Sequence, residues 1–98
     1  MSEEKAKEYL SVLEGWEFGA DGVSIQKTYL MKDFMAAVEV IRNIAQVAEA
    51  DDHHPDLHLI GYRKLTIELS THAIKGLSEN DFILASKIDA LPKALKST

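Results

Sequence analysis

The sequence predicts a small α+β domain in which helices pack on an antiparallel sheet. Residues 16–30 and 57–71 alternate apolar and polar side chains with a period of two, which is typical of half-buried strands. Between them, residues 33–50 carry apolar side chains at helical spacing, and shorter helical patterns begin and end the chain. The predicted order is therefore helix, two strands, helix, two strands, helix.

The composition limits the classes of function. The 98 residues suffice for one domain, which we assign to residues 1–98. The net charge is -5 and no basic cluster is present, so nucleic acid is not expected as a direct partner. Without cysteine the chain has neither disulfides nor thiolate metal sites. Because no signal peptide and no membrane-spanning apolar run is visible, we expect a cytoplasmic protein without a membrane partner.

The first predicted elements are a helix and a hairpin. Apolar side chains gather on one side of a helix over Glu3–Leu13, and Gly15 is a suitable end for it. The alternating pattern over residues 16–30 is interrupted by Gly-Ala-Asp-Gly at residues 19–22, which has the composition of a turn. We therefore predict two antiparallel strands here.

The longest predicted element is a helix that begins after Asp33, a plausible N-cap. Its apolar residues form two neighbouring stripes, and this arc is wider than one sheet face requires. The surplus predicts self-association through the helix at residues 34–48. One stripe comprises Phe34, Val38, Ile41, Ala45 and Ala48, and the other comprises Val40, Ile44 and Val47.

A second hairpin and a last helix complete the chain. Pro55 disfavours helical geometry at the preceding residue, so the long helix is expected to end there. Leu57–Tyr62 and Lys64–Thr71 are predicted strands. Ser78 and Asp81 match a capping box at the start of a final helix, which Pro92 stops at about Leu91.

Histidines are concentrated near the break between the long helix and the third strand. His53, His54 and His58 lie in one short window, and His72 follows the last predicted strand. If the last two strands pair, the base of their hairpin brings His72 back towards His53 and His54. Imidazole suits proton transfer near neutral pH because its unperturbed pKa is about 6.5, and a neighbouring carboxylate can orient it. Nearby acidic residues are Glu49, Asp51, Asp52 and Asp56.

The spacing of His54 and His58 would suit zinc on a helix, but Pro55 prevents that geometry. We therefore expect no metal, and we expect His58 on a strand face. Taken alone, the adjacent pair His53-His54 is typical of a solvated loop.

A longer ordered set of motifs carries more information. It comprises Gly15-Trp16, Lys32-Asp33-Phe34, Glu49-x-x-Asp52-His53-His54-Pro55, Tyr62, Ser70-Thr71-His72 and Gly76-Leu77-Ser78-Glu79-x-Asp81. Over nearly the whole chain this set resembles the pterin-4a-carbinolamine dehydratases. Two departures lie beside the pocket: Leu57 replaces a common aromatic, and one extra residue separates the two histidine motifs.

The resemblance implies a fold and a reaction. The fold would be a four-stranded antiparallel sheet with three helices on one face, assembled into dimers through sheet edges or tetramers through the long helices. The reaction would dehydrate a 4a-hydroxytetrahydropterin to the quinonoid dihydropterin during cofactor recycling, with neither a metal nor an organic cofactor. The pterin would be the small-molecule partner.

The resemblance also implies catalytic residues. His53 and His72 would transfer protons at the 4a-hydroxyl, while His54 would contact the pterin and is a candidate base. Which histidine performs which step stays open. Glu49 and Asp52 would orient or charge the imidazoles.

Further residues are implied at the pterin edge. Ser70, Thr71 and Ala73 would offer backbone hydrogen bonds, and Asp81 would serve the pocket, the capping box or both. Two other functions fit the same family: a dimerisation cofactor for a transcription factor, and a domain that binds pterin without turnover. Because none of the family's histidines is missing here, we favour the enzyme.

Overall fold

The computed structural model describes residues 1–97 and has the predicted order of elements. A short 3₁₀ turn, His72–Ile74, precedes the last helix. The helices are α1 (Glu3–Ser11), α2 (Phe34–Asp51) and α3 (Glu79–Ala90), and the strands are β1 (Glu17–Phe18), β2 (Ile25–Leu30), β3 (Asp56–Ile60) and β4 (Lys64–Leu69).

The four strands form one antiparallel sheet in the order β1-β2-β4-β3. In the β3–β4 hairpin, Asp56 lies opposite Glu68 and Ile60 lies opposite Lys64. The chain that enters β3 and the chain that leaves β4 therefore emerge side by side. This register brings the backbone after Leu69 towards the segment that carries His53 and His54, as predicted.

The three helices cover one face of the sheet. On that face Ile25, Leu65 and Ile67 are fully buried. They belong to the same apolar core as residues of all three helices, including Ala6 of α1 and Ile44 of α2. Burial of each large aliphatic side chain contributes roughly 1.5–3 kcal/mol, so this layer stabilises the fold. The α+β architecture predicted from the sequence is confirmed.

Both ends of α2 are capped. At its start, the Asp33 carboxylate accepts a hydrogen bond of 2.8 Å from the Ala36 amide, which confirms the predicted N-cap. At its end, Asp52 adopts a left-handed conformation with φ of 49°, and the His53 amide donates to the Ala48 carbonyl at 3.1 Å. This C-terminal motif satisfies open carbonyls of the last turn. It also fixes the direction in which the two histidines leave the helix.

The two apolar stripes predicted for α2 have different environments. Val40 and Ile44 of one stripe are buried against the sheet. Phe34 and Val38 of the other are 53% and 43% exposed. Ala48 of that same stripe is 2% exposed and Ile41 packs against the core, so only part of the stripe is unused by the core. Self-association through this helix stays a prediction.

Several elements are shorter than predicted. Helix α1 ends at Ser11, β1 has only two residues, and β3 ends at Ile60 because Gly61 and Tyr62 both take positive φ in the following turn. Strand β4 ends at Leu69 because Thr71 leaves the ladder and bridges Gly76 instead. Among residues 1–97, none of the helices combines the length and apolarity needed to span a membrane.

Candidate active site

The candidate site lies where the end of α2, the segment after β4 and the start of α3 meet. Side-chain hydrogen bonds join these three segments. Two imidazole–carboxylate pairs are found here, His53 with Asp81 and His54 with Glu49.

His53 is paired with a buried carboxylate. Its Nε2 atom lies 2.6 Å from Oδ1 of Asp81. Asp81 is fully buried, and the His53 side chain is 15% exposed. Such a pair is weakly screened by solvent, so it holds the imidazole in one orientation.

Asp81 also performs the structural role predicted for it. Its Oδ2 atom accepts a hydrogen bond of 2.9 Å from the Ser78 amide, which is the capping-box contact at the start of α3. The same oxygen accepts a second hydrogen bond, also of 2.9 Å, from the Thr71 hydroxyl. The pocket role predicted for Asp81 stays a prediction.

His54 is paired with an exposed carboxylate. Its Nε2 atom lies 2.5 Å from Oε1 of Glu49 in the last turns of α2. The two side chains are 58% and 75% exposed. Solvent screens this pair, so the imidazole is both oriented by a carboxylate and accessible.

His72 begins the 3₁₀ turn after β4 and is exposed. It directly follows Thr71, whose hydroxyl donates to Asp81, the partner of His53. The Thr71 amide donates to the Gly76 carbonyl at 2.7 Å. That amide is therefore not available to a ligand, and the backbone contacts predicted at Ser70, Thr71 and Ala73 stay predictions.

The other acidic residues predicted near the histidines have different contacts. Asp52 is exposed, and within residues 1–97 its carboxylate makes no hydrogen bond to an imidazole. Asp51 instead forms an ion pair with Lys87 of α3 at 2.8 Å. That lysine and His53 line a cavity of about 250 Å³, together with Asp51, Asn80 and Ile83.

His58 lies outside this site. It is on the outer face of β3, where its Nε2 atom is 3.6 Å from a Glu68 carboxylate oxygen. The prediction of a strand-face histidine is confirmed. Within residues 1–97 no group of three or more His, Cys, Asp or Glu side chains could hold a metal ion.

The sequence did not predict that the hydroxyl groups of Thr71 and Ser78 would form hydrogen bonds next to Asp81. Thr71 was expected to act through its backbone and Ser78 only as a helix cap, yet their hydroxyl oxygens lie 2.7 Å apart. The capping-box motif predicts the contact between Ser78 and Asp81. The contacts of the Thr71 hydroxyl with Ser78 and Asp81 depend on how Thr71 packs against the start of α3, for which the sequence contains no local signal.

Fold and site together define a class: an α+β domain whose histidines, oriented by carboxylates, are suited to proton transfer. Comparison with known proteins identifies the family within that class. The family described as Pterin 4 alpha carbinolamine dehydratase matches residues 1–91. The chain belongs to this family, which confirms the predicted resemblance, and its class is that of lyases that dehydrate a pterin carbinolamine.

Relatives and a solved structure agree with this assignment. A putative pterin-4-alpha-carbinolamine dehydratase from Aquifex aeolicus is 42% identical over 97% of this chain and 93% of its own. Pterin-4-alpha-carbinolamine dehydratase 2, mitochondrial, from Arabidopsis thaliana is 41% identical over 93% of this chain, which spans 50% of that protein. The crystal structure of a transcriptional coactivator/pterin dehydratase from Brucella melitensis superposes with a TM-score of 0.86 at 31% identity, covering 92% of this chain and 95% of the other.

Proposed function

We propose that this chain dehydrates a 4a-hydroxytetrahydropterin to quinonoid dihydropterin through proton transfer by His53, His54 and His72. In this reaction the C4a–O bond breaks and the oxygen leaves as water after it receives one proton. One proton leaves ring nitrogen N5 as the C4a–N5 double bond forms. The two transfers balance, and neither an oxidant nor a reductant is consumed.

The observation that carries the proposal is the pairing of adjacent imidazoles with two different carboxylates, at 2.6 Å and 2.5 Å. Hydroxide is a poor leaving group, so one imidazole must deliver a proton to it while another group accepts the proton from N5. Groups positioned for such transfers contribute about 10² to 10⁴-fold each. In the proposed site His53 and His72 act at the 4a-hydroxyl, and His54 contacts the pterin as the candidate base.

Other residues would bind or support the substrate. Glu49 orients His54, and Asp52 lies at the helix end beside both histidines. The segment Ser70-Thr71-His72-Ala73 offers backbone groups to the pterin edge, apart from the Thr71 amide, which donates to Gly76. Asp81 acts behind His53 because it is fully buried.

A direct assay tests the proposal. A hydroxylase generates the 4a-hydroxypterin, and its decay is followed spectroscopically with and without this protein. We expect acceleration by the protein, and a loss of at least about tenfold in turnover for His54→Ala and for His72→Ala. His58→Ala is the matched control, because it removes an imidazole from the outer face of the sheet. Equal rates for His72→Ala and His58→Ala would refute the assignment of His72.

Self-association and location belong to the same proposal. The exposed side chains Phe34, Met35 and Val38 form an apolar strip on α2, and β3 is an edge strand of the sheet. We expect dimers or tetramers through these two surfaces, and light scattering that gives a monomer mass at micromolar concentration would exclude them. We also propose a cytoplasmic location, which fractionation of the source cells would test.

A further inference from the structure

Hydrogen bonds connect four side chains in series, from Ser78 at the N-cap of α3 through Thr71 and Asp81 to the imidazole of His53. The Ser78 and Thr71 hydroxyl oxygens are 2.7 Å apart. The Thr71 hydroxyl donates to Oδ2 of Asp81 at 2.9 Å, and Oδ1 of Asp81 lies 2.6 Å from Nε2 of His53. Within residues 1–97 no comparable chain of hydrogen bonds leads to His54, whose partner Glu49 is 75% exposed.

The direction of each hydrogen bond in this chain follows from the chemistry of its groups. An ionised carboxylate only accepts hydrogen bonds, so Thr71 must donate its single hydroxyl hydrogen to Asp81. Thr71 can then only accept from Ser78, whose hydroxyl hydrogen is thereby fixed as well. At the other oxygen of Asp81, the hydrogen must belong to Nε2 of His53.

The tautomer of His53 follows from this order. A neutral imidazole has one N–H and one lone pair, so a hydrogen on Nε2 leaves the lone pair on Nδ1. The bond of 2.6 Å is short, as hydrogen bonds to an ionised acceptor are. In both protonation states of the ring, Nε2 faces the buried carboxylate and Nδ1 remains the atom free to gain or lose a proton.

We propose that Thr71 and Ser78 are positioning residues that hold His53 as the Nε2–H tautomer, so that Nδ1 exchanges the proton with the substrate. Neither residue touches the reacting atoms in this scheme. Thr71 keeps the Asp81 carboxylate aligned, and Ser78 keeps the Thr71 hydrogen pointed at it. The part that concerns turnover rests on the proposed function, whereas the part that concerns the tautomer does not.

Three variants separate the role of the hydroxyl from that of the fold. Thr71→Val removes the hydroxyl with almost no change in shape, and Thr71→Ser restores it. Thr28→Val is the matched control, because it removes one member of a hydroxyl pair, with Thr66 at 2.8 Å, on the outer face of the sheet. The ring nitrogens of His53 are observed by proton–nitrogen correlation spectra of the ¹⁵N-labelled free protein at a pH where the ring is neutral.

We expect a single Nε2–H tautomer in the unaltered protein, in Thr71→Ser and in Thr28→Val. In Thr71→Val the Asp81 carboxylate loses the hydroxyl that keeps Oδ1 aligned with Nε2 of His53, so the Nδ1–H tautomer should become visible. Turnover in that variant should fall about tenfold, as when a hydrogen-bond partner behind an oriented imidazole is lost, with KM changed less than about twofold. Recovery of both readouts in Thr71→Ser would show that the hydroxyl is responsible.

An unchanged Nε2–H spectrum in Thr71→Val would overturn the proposal. If that variant does not fold, Ser78→Ala decides, because it removes the donor that fixes Thr71 and should also release the second tautomer. The spectra need no substrate. A protein without dehydratase activity but with the expected tautomer change would therefore refute the proposed function alone.

Discussion

His53 and His54 are neighbours in the chain, and each pairs with a carboxylate at nearly the same distance. The separations are 2.6 Å for His53 and Asp81 and 2.5 Å for His54 and Glu49. Their environments are opposite. The first pair is 15% and 0% exposed, whereas the second is 58% and 75% exposed.

The difference shows that the distance between imidazole and carboxylate does not determine how much a pair contributes to stability; burial does. A buried carboxylate cannot be left without partners, so removing one member of a buried pair costs several kcal/mol. An exposed pair is solvated in either case, and its net contribution to stability is small. Asp81 therefore serves both the fold and the orientation of His53, while Glu49 is free to serve His54 without stabilising the domain.

The largest effect is expected for Asp81→Ala. This change removes the acceptor of the Thr71 hydroxyl, of the Ser78 amide and of His53 together. We expect the free energy of unfolding to fall by about 3 kcal/mol, because three partly buried donors lose their partner. Urea denaturation at neutral pH would measure it.

The control for this change is Asp51→Ala, which removes a nearby acid whose pair with Lys87 is partly exposed. It should cost less than about 1 kcal/mol. Similar losses in the two variants would show that the burial of Asp81 has no special energetic weight.

A third carboxylate, Asp89 of α3, extends the comparison beyond the site. It accepts hydrogen bonds from the Trp16 indole at 2.9 Å, from Lys27 at 2.9 Å and from the Tyr29 hydroxyl. Burial and the bond to Asp89 raise the pKa of Tyr29 well above its usual range. Asp89 thus ties α3 to β2 and to the segment before β1, with no histidine among these partners.

We expect Asp89→Ala to lower the free energy of unfolding by about 2 kcal/mol, because Trp16 and Tyr29 lose their acceptor. Turnover per folded molecule should not change, since the cluster lies apart from His53 and His54. Urea denaturation and the dehydratase assay at a temperature well below unfolding would check both statements. A fall in turnover comparable to that of His54→Ala would show that Asp89 and its partners do affect the candidate active site.

The fold was predictable because its signals are local. The N-cap at Asp33, the capping box at Ser78 and the helix break before Pro55 each use neighbouring residues only. Strand lengths were less predictable. The end of β4 depends on the bridge between Thr71 and Gly76, which closes the turn around His72–Ile74 and has no signal in the alternating pattern.

The contacts of the candidate site residues were less predictable than the motif that contains them. The motif around His53 and His54 identified the family, but burial separates the two histidines and burial is not visible in a local pattern. Asp81 could be predicted as a cap because its partner Ser78 is three residues away. Its contact with His53 spans 28 residues and depends on the packing of α2 against α3.

The smallest effect on stability, and the sharpest test of the comparison, is expected for Glu49→Gln. The exposed pair contributes little, so the free energy of unfolding should change by less than about 0.5 kcal/mol. Turnover should nevertheless fall about tenfold, because a neutral amide supports an imidazolium at His54 less well than a carboxylate does. Glu39→Gln, an exposed acid on the same helix, is the control and should change neither quantity. Unchanged turnover in Glu49→Gln would show that the exposed carboxylate does not support His54 in the reaction. Of the two pairs compared, the buried pair of His53 and Asp81 would then be the one left with a part in catalysis.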